Sequence, residues 1–239
     1  MPKPAKKPRK AWFPPEPQPA TPAKPKKTTA KKPAPRRGIW VKLPPPIPPT
    51  TAQLKITLRH LDPDIWRRVT VPHDINLHNL HRVIQAAMPW TDSHLHSFHD
   101  GKKHYQPTPG DFLIGDPDDT GSLDESLYRL CDLCPAEGAR LLYTYDFGDD
   151  WQHDILLEKL TPAAKRPARA ELLVGEHACP PDDCGGTDGY CDLVEILLDP
   201  KHPEHADRRE WLDLPKGKKF DPYSHDLVAA NARLAKLKV

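Results

Sequence analysis

The first regular pattern along the chain is an alternation of apolar and polar residues, which has the period of a β-strand. It runs through QLKITLRHL, from Gln53 to Leu61, and through IWRRVTVP after Pro63. We expect two half-buried strands, with the folded part of the chain beginning near Gln53. One face of the second strand would carry Ile65, Arg67, Val69 and Val71.

Apolar residues at helical spacing predict one helix after these strands and further helices near the C-terminus. In LHNLHRVIQAAM, Asn76 is the expected N-cap and Pro89 ends the helix. Three later segments also have helical patterns: CDLVEILLDP, stopped by Pro200, PEHADRREWLDL, and SHDLVAANARLAKL with Ser224 as its expected N-cap. Strands early and helices late favour an α+β fold, with an antiparallel or mixed sheet and helices concentrated toward the C-terminus, over a doubly wound sheet.

Two segments between these regions have shorter patterns. HLHSFHDGKKHY predicts a hairpin, because Asp100-Gly101 is typical of a two-residue turn. A polar loop follows from Gln106 to about Ser122, and LDESLYRLCDLCP then fits either a strand or a short helix.

The segment YTYDFGDDWQHDILLEKL predicts a second hairpin with acidic residues at its turn. A turn of three residues, Gly148, Asp149 and Asp150, gathers the large apolar side chains on one face, whereas a two-residue turn divides them between faces. The predicted cross-strand pairs are Phe147–Trp151, Tyr145–His153, Tyr143–Ile155 and Leu141–Leu157.

This register determines how the polar residues of the hairpin are interpreted. His153 lies on the apolar face, which favours a buried histidine held by one hydrogen bond, with a catalytic role as the alternative. Asp146, Asp149 and Asp150 cluster at the turn. They either bind a cation or a basic partner, or accept hydrogen bonds from their own backbone as turn residues.

Charge divides the chain into two parts. Residues 1–50 hold 13 Lys/Arg, one acid and 16 of the 31 prolines, which is a net charge of +12, whereas the remainder has 22 bases and 32 acids, or −10. We expect a disordered cationic arm that binds nucleic acid or another polyanion without sequence specificity, or else only aids solubility. Its candidate binding residues are Lys6, Lys7, Arg9, Lys10, Lys26, Lys27, Lys31, Lys32, Arg36 and Arg37.

Targeting signals and cysteine usage favour the cytoplasm. The start MPKPAKKPRK precedes no apolar segment of a signal peptide, and no apolar run approaches the roughly 20 residues of a membrane helix. The five cysteines are an odd number with irregular spacing, which is typical of a reducing compartment.

Several segments together resemble the plasmid pRiA4b ORF-3-like family, which includes proteins described as passengers of insertion elements. The similar segments, in chain order, are IWRRVTVP, LHNLHRVIQAAMPWTDSHLHSF, YDFGDDWQHDILLE, CPPDDCGGTDGY and DPKHPEH. The resemblance covers about Gln53 to Leu237 and excludes the basic arm. It implies a domain of mixed α and β structure and no particular molecular activity.

The resemblance also implies a set of residues for a shared site or a shared structural brace. One departure concerns LCDLC, where the family often has Leu-Ser-Asp-Leu-Leu, so Cys131 and Cys134 resemble local substitutions. The implied residues are His94, His96, Asp146, Gly148, Asp149, Trp151, His153, Pro180, Pro181, Asp183, Gly185, Gly186, Gly189 and Tyr190.

The sequence contains two candidate sets of metal ligands, and each set also has a simpler interpretation. Cys131, Cys134, Cys179 and Cys184 would make a four-thiolate zinc site, or they are small buried residues. His94 and His96, with His153 and nearby acids, would make a His/carboxylate site, or they lie on an exposed strand face. The sequence contains no phosphate-binding loop and no hydrolase motif.

These observations favour a binding or accessory module without enzymatic activity or a required cofactor, linked to mobile-element or nucleic-acid biology. The protein partner is undefined, and no membrane partner is expected. The alternative is a metal-dependent hydrolase that uses Asp146, Asp149, His153 and Asp183, with zinc or another divalent metal as its cofactor.

Overall fold

Residues 46–107 and 122–239 are described by the structure, which is a computed structural model. They form a mixed sheet of eight strands together with five helices. The strands are β1 (Thr50–Leu58), β2 (Ile65–Pro72), β3 (His96–His99), β4 (His104–Gln106), β5 (Leu123–Asp124), β6 (Arg140–Tyr145), β7 (Trp151–Pro162) and β8 (Glu171–Glu176). The helices are α1 (Leu77–Ala87), α2 (Leu130–Leu133), α3 (Gly186–Leu198), α4 (His205–Trp211) and α5 (Leu227–Leu234).

The strands lie in the order β5-β4-β3-β6-β7-β1-β2-β8. Every neighbouring pair is antiparallel except β4 and β5, which are parallel. Three of the five helices follow the last strand. The expected combination of a mixed sheet with helices concentrated toward the C-terminus is therefore confirmed. The polyproline-rich and basic residues 1–45 lie outside the described residues.

The core forms where alternate strand residues meet the apolar side of the helices. β1 and β2 show the predicted alternation of buried and half-buried residues, although β1 begins at Thr50 rather than Gln53. The apolar stripe of α1 is buried in the same cluster. This packing holds the middle of the sheet rigid, which places the ends of β3, β6 and β7 at fixed positions.

The helix ends follow the predicted chemistry in one case and differ in another. Asn76 begins α1 as predicted, because its Oδ1 accepts a hydrogen bond from the Asn79 backbone N–H at 2.9 Å. The predicted N-cap of α5, Ser224, is wrong. Asp226 takes that place and accepts from the Ala229 N–H at 2.8 Å, since it lies directly before the first helical residue.

The predicted pairing register of the β6–β7 hairpin is wrong by two residues, although the predicted buried face is right. The observed pairs are Tyr145–Trp151, Tyr143–His153 and Leu141–Ile155. The turn therefore contains five residues, 146–150, and Phe147 lies outside the core with 49% of its surface exposed. A shift of two residues keeps each side chain on its own face, which is why burial alone did not distinguish the two registers.

The longer turn is stabilised by Asp146, whose own side chain closes it. Its Oδ1 accepts hydrogen bonds from the backbone N–H of Gly148 at 2.9 Å and of Asp149 at 3.4 Å. Its carbonyl oxygen accepts from the Asp150 N–H at 2.7 Å, and Asp146 and Asp150 both have positive φ. Aspartate tolerates this conformation better than most residues. The turn interpretation of these acids is therefore correct for Asp146.

The other two short segments also differ in detail from the predictions. The β3–β4 hairpin exists, but its loop spans residues 100–103, with Asp100 Oδ1 accepting from the N–H groups of Lys102 and Lys103 at 2.8 Å each. The segment that fitted either a strand or a short helix contains both, because β5 leads into a 3-10 turn (Glu125–Leu127) and then into α2.

Arg67 is the largest charged side chain in the core, with 1% of its surface exposed. Its Nε donates to the Ala87 carbonyl at the end of α1. Its Nη1 donates to the carbonyls of Trp66 at 2.9 Å and Glu176 at 2.7 Å, and its Nη2 donates to the carbonyl of His177 at 2.9 Å. Burial lowers the pKa of Arg67, and the four carbonyl dipoles solvate its charge in place of water.

Candidate metal centre

The turn of the β6–β7 hairpin meets the segment that leads into α3. The Gly185 backbone N–H donates to Asp149 Oδ2 at 3.1 Å. A Cβ added to Gly186, whose φ is +71°, would lie 2.9 Å from the carbonyl oxygen of Asp149. The two glycines therefore allow the chain to approach the turn closely, and CPPDDCGG and the acidic turn form one surface.

Three side chains converge where these segments meet. His94 Nε2 lies 3.2 Å from Asp183 Oδ1 and 3.6 Å from Asp146 Oδ2. One ligand atom from each of the three residues lies within 4.8 Å of the others. Separations of this size are those of neighbouring ligand atoms around one divalent ion, whose bonds to oxygen and nitrogen are about 2.0–2.2 Å.

The orientation of His94 also fits a ligand better than an ordinary ion pair. Its Nε2 is shielded from solvent and has no hydrogen-bond partner in the described part of the chain, although two carboxylate oxygens are near it. Asp146 is buried, whereas Asp183 has 71% of its side chain exposed, so the cluster has one open side. Both aspartates have positive φ. The arrangement can hold a cation that remains accessible to a further ligand.

Hydrogen bonds around Asp182 hold the segment that carries His94. Thr91 donates to Asp182 Oδ2 through its N–H at 3.1 Å and its Oγ1 at 2.6 Å. The Tyr145 hydroxyl donates to Asp182 Oδ1 and accepts from the Ser93 N–H, each at 3.2 Å. Burial, together with the charge of Asp182, raises the pKa of Tyr145 to about 12. Tyr145 therefore stays protonated and acts as a support for the His94 loop.

A second cluster of polar residues lies deeper in the core, and its hydrogen bonds define one protonation state. The Asp92 N–H donates to Gln85 Oε1 at 3.0 Å, so the amide nitrogen of Gln85 donates to the Tyr143 hydroxyl at 3.1 Å. Tyr143 then donates to His81 Nδ1 at 2.8 Å, and His81 Nε2–H donates to Asp92 at 2.7 Å. His81 is thus neutral, and its burial lowers its pKa in agreement with this assignment.

His96 completes this second cluster from β3. Its ring stacks on that of His81, with centroids 3.5 Å apart and planes 3° from parallel. His96 Nε2 lies 2.8 Å from the buried Glu125, whose other oxygen is 3.2 Å from His78 Nδ1. Two parallel rings cannot both direct their in-plane lone pairs at one ion. Although His81, Asp92 and His96 offer three close ligand atoms, the stacked arrangement favours a hydrogen-bonded brace over a metal site.

The structure separates the predicted site residues into different environments. His94 and Asp183 meet with Asp146, whereas His96 contacts Glu125, and Asp149 accepts a hydrogen bond from the backbone. His153 is completely buried, with its Nδ1 3.4 Å from the Tyr143 carbonyl, so the prediction of a core histidine is confirmed. The set of His94, His96 and His153 therefore does not converge on one point.

The four cysteines do not form the predicted alternative zinc site. Among the described residues, no group of three or more candidate ligands contains a cysteine, and all five cysteines of the chain are free. Burial raises the pKa of Cys134 to about 11 and that of Cys184 to about 12. It also raises the pKa values of Cys131 and Cys179. Raised pKa values favour protonated thiols that pack as small residues, with Cys134 buried and Cys131, Cys179 and Cys184 half-buried.

Sequence reasoning did not find the partners of the second cluster. His81 lies in a helix whose apolar pattern drew attention away from its polar residues, and Glu125 lies in a segment without a clear period. His96 was predicted as a site residue, and Asp92 carried a signal as well, because it alternates with His94 and His96.

Replacing His153 with leucine is expected to make stability less dependent on pH below about 6.5. Burial lowers the pKa of His153 to about 3, so between pH 3 and 6.5 the unfolded chain takes up a proton that the folded chain does not. The free energy of unfolding then falls on acidification by roughly 1.4 kcal/mol per pH unit. Urea unfolding at several pH values measures this slope. His104→Gln, on exposed β4, is the control, and an equal slope for His153→Leu and wild type would contradict the account.

The described residues form an α+β domain in which His94, Asp146 and Asp183 cluster at one point. The chain belongs to the plasmid pRiA4b ORF-3-like protein family, whose model matches residues 50–229. This confirms the resemblance drawn from the sequence motifs. The match begins at the first residue of β1 and ends within α5, so it includes every residue of the His94 cluster.

Two relatives extend the comparison. The chain is similar to the uncharacterized protein y4hQ of Sinorhizobium fredii (strain NBRC 101917 / NGR234), with 40% identity over 166 residues that cover 68% of this chain and 80% of the relative. It is also similar to the crystal structure of MM3350, a protein of unknown function from Methanosarcina mazei Go1. That likeness has a TM-score of 0.62 and 33% identity, and covers 76% of this chain and 97% of the other. Among the described residues, no helix has the length and apolar character needed to cross a membrane.

Proposed function

We propose that the protein is a binding module that depends on a divalent cation held by His94, Asp146 and Asp183. The observation that carries this proposal is the convergence of three ligand atoms within 4.8 Å. The Nε2 of His94 supports it, because this atom is shielded from solvent and lies 3.2 Å and 3.6 Å from two carboxylate oxygens without an aligned hydrogen bond to either.

The ligand types indicate which cations fit. One imidazole and two carboxylates suit Mn²⁺, Fe²⁺ or Zn²⁺ better than a soft ion such as Cu(I). Three protein ligands leave at least one coordination position for water or for an acidic group of a bound molecule. The exposure of Asp183 gives such a molecule a route to the ion. In this role the module presents the cation to an anionic ligand.

Titration of Mn²⁺ and Zn²⁺ into the metal-stripped full chain, followed by isothermal calorimetry, tests the proposal. We expect one saturable site per chain for at least one of the two ions. Binding should weaken as the pH falls, since the imidazole nitrogen and the carboxylates bind a metal only when deprotonated. Absence of saturable binding by both ions at neutral pH would contradict the proposal.

Hydrolysis is the second use of such a site, and the open coordination position is the observation that favours it, because a bound cation can activate water there. The residues for it are fewer than the sequence indicated, since Asp149 holds the Gly185 backbone and His153 is enclosed in the core. Release of nitrophenol from bis(p-nitrophenyl) phosphate by the Mn²⁺-loaded chain, absent from Asp183→Asn, would support hydrolysis. Equal rates for the two would exclude it.

The cationic arm provides a second binding function, directed at nucleic acid or another polyanion. Residues 1–50 carry a net charge of +12 beside a body of −10, and spaced Lys and Arg release counterions from phosphates. Together with the family's likeness to insertion-element passengers, this supports a role as an accessory protein in mobile-element or nucleic-acid biology in the cytoplasm.

Replacing the ten candidate arm cations with glutamine in the full chain is expected to abolish most binding to a random DNA duplex. Each neutralised phosphate contributes about −0.9 to the slope of log affinity against log salt, so this slope should also become shallower. A gel shift at several salt concentrations measures both quantities. Substituting Lys55, Lys159 and Lys201 of the body with glutamine provides the control. Equal DNA affinity of the arm variant and wild type would show that these arm residues do not bind DNA.

A further inference from the structure

A cavity of about 190 Å³ between α3 and α4 borders the proposed metal centre. Asp183, the exposed ligand of that centre, lines the cavity together with Arg208 and Trp211 of α4. Leu193 and Ile196 of α3, which are buried, form an apolar part of the wall. A volume of this size is enough for a phosphate group.

Arg208 is the positively charged group of this cavity. Its Nη2 donates to Glu204 Oε2 at 2.9 Å, and both side chains are about half exposed. An exposed ion pair of this kind contributes little to stability, so the guanidinium can turn to another anion at small cost. Within the described residues, the Arg208 side chain donates a hydrogen bond to Glu204 alone. A planar guanidinium suits the paired oxygens of a phosphate.

The remaining charges decide which ligand the cavity takes. Asp192 also lines it, so without a cation on Asp183 the cavity would contain two carboxylates and one guanidinium. A divalent cation on His94, Asp146 and Asp183 offsets the charges of its two carboxylate ligands, and Arg208 offsets Asp192. The cavity then offers two cationic contacts, the metal ion at its open coordination position and the Arg208 guanidinium, and both favour an anion over a neutral molecule.

Trp211 adds a surface for a planar group. It has 46% of its surface exposed, which is unusual for so large an apolar side chain. A nucleobase attached to a phosphate in the cavity can stack on this exposed indole, because aromatic side chains stack on any base. A phosphate in the cavity and a base on Trp211 match the parts of a nucleotide.

We propose that this cavity binds the terminal phosphate monoester of a nucleotide, with Arg208 and the cation on Asp183 contacting the phosphate and Trp211 stacking on the base. The inference rests on the proposed metal centre and names the ligand class of that same site. A free mononucleotide and the phosphorylated end of a nucleic-acid strand share this chemistry.

Calorimetric titration of the full chain, with and without saturating Mn²⁺, tests the inference using 5′-AMP, adenosine and orthophosphate as probes. We expect 5′-AMP to bind at least about tenfold more tightly than adenosine when Mn²⁺ is present, since a phosphate makes charge-assisted hydrogen bonds that a hydroxyl does not. The difference in affinity between 5′-AMP and adenosine should disappear in EDTA.

Two octanucleotides of one sequence, with a 5′-phosphate or a 5′-hydroxyl, then distinguish a strand end from a mononucleotide, because the contribution of the arm is common to both.

Arg208→Gln should weaken 5′-AMP binding by about tenfold or more, and Trp211→Leu should reduce the preference for 5′-AMP over orthophosphate. Arg209→Gln is the matched control, because Arg209 follows in the same helix and donates to the Pro215 carbonyl instead. Mn²⁺ affinity should stay unchanged in all three variants, which also shows that they fold. Equal loss in Arg208→Gln and Arg209→Gln, or equal binding of 5′-AMP and adenosine with Mn²⁺ bound, would overturn the inference and leave the metal centre standing. Failure of Mn²⁺ itself to bind would instead remove the metal centre and this inference together.

Discussion

Asp183→Asn is expected to weaken Mn²⁺ binding by about 100-fold or more. The substitution removes a charged ligand from the open side of the centre and leaves an amide of nearly the same shape. Loss of an outer hydrogen bond around a metal ligand already costs about 10–100-fold in affinity, and loss of the ligand itself costs at least as much. Calorimetric titration of wild type and variant measures the ratio directly.

Asp146→Asn is also expected to weaken Mn²⁺ binding, and it tests a second ligand independently. Asparagine tolerates positive φ, and its Oδ1 can still accept the hydrogen bonds from Gly148 and Asp149 that close the turn. The turn should therefore persist while the charged ligand is lost. Asp150→Asn is the matched control, because Asp150 lies in the same turn but accepts from Gln152 and does not face His94. Equal Mn²⁺ affinity for wild type, Asp146→Asn and Asp150→Asn would show that Asp146 and Asp150 act only as turn residues.

The second large effect concerns Arg67, whose replacement by methionine is expected to lower the free energy of unfolding by about 3 kcal/mol or more. Methionine fills a similar volume but removes the Arg67 donor from four carbonyls, whose hydrogen bonds are buried at Ala87 and part-buried at Trp66, Glu176 and His177. Each unsatisfied buried group costs roughly 1–3 kcal/mol, partly offset because the charge no longer has to be desolvated. Gly175 is consistent with this role, since a Cβ there would lie 2.7 Å from Arg67 Cδ.

Urea unfolding monitored by circular dichroism measures this difference in stability. Arg59→Met is the control, because Arg59 lies near the surface, with Nε 3.5 Å from Asp154 and Nη1 donating to Gln152 at 3.1 Å. Exposed pairs of that kind contribute about 0–1 kcal/mol. A loss for Arg67→Met no larger than that for Arg59→Met would show that the buried hydrogen bonds around Arg67 are dispensable.

The sequence predicted the faces of the strands better than their pairing. Alternation identified His153 as a core residue and Arg67 as a residue of the buried face of β2, because burial depends only on whether a position is odd or even. The register of the hairpin depended on something that periodicity does not contain, namely the side chain of Asp146 closing a five-residue turn. Phe147 was then left outside the core.

The site was predictable as a set of residue types but not as a set of contacts. His94 and His96 are two residues apart, so alternation predicts that they share one strand face. In the structure His96 lies in β3 and faces Glu125, whereas His94 lies before the strand and faces Asp183. Their partners come from 29 and 89 residues further along the chain, so only the folded topology brings them together. The close approach of Gly185 to Asp149 is the step that joins the two motifs.

The most direct test of the metal centre is a crystal structure of the chain grown with Mn²⁺ and measured at a wavelength where manganese scatters anomalously. The account predicts an anomalous peak about 2.0–2.3 Å from His94 Nε2 and from one carboxylate oxygen each of Asp146 and Asp183. A well-ordered cluster without such a peak, or a peak between the stacked rings of His81 and His96 instead, would contradict it.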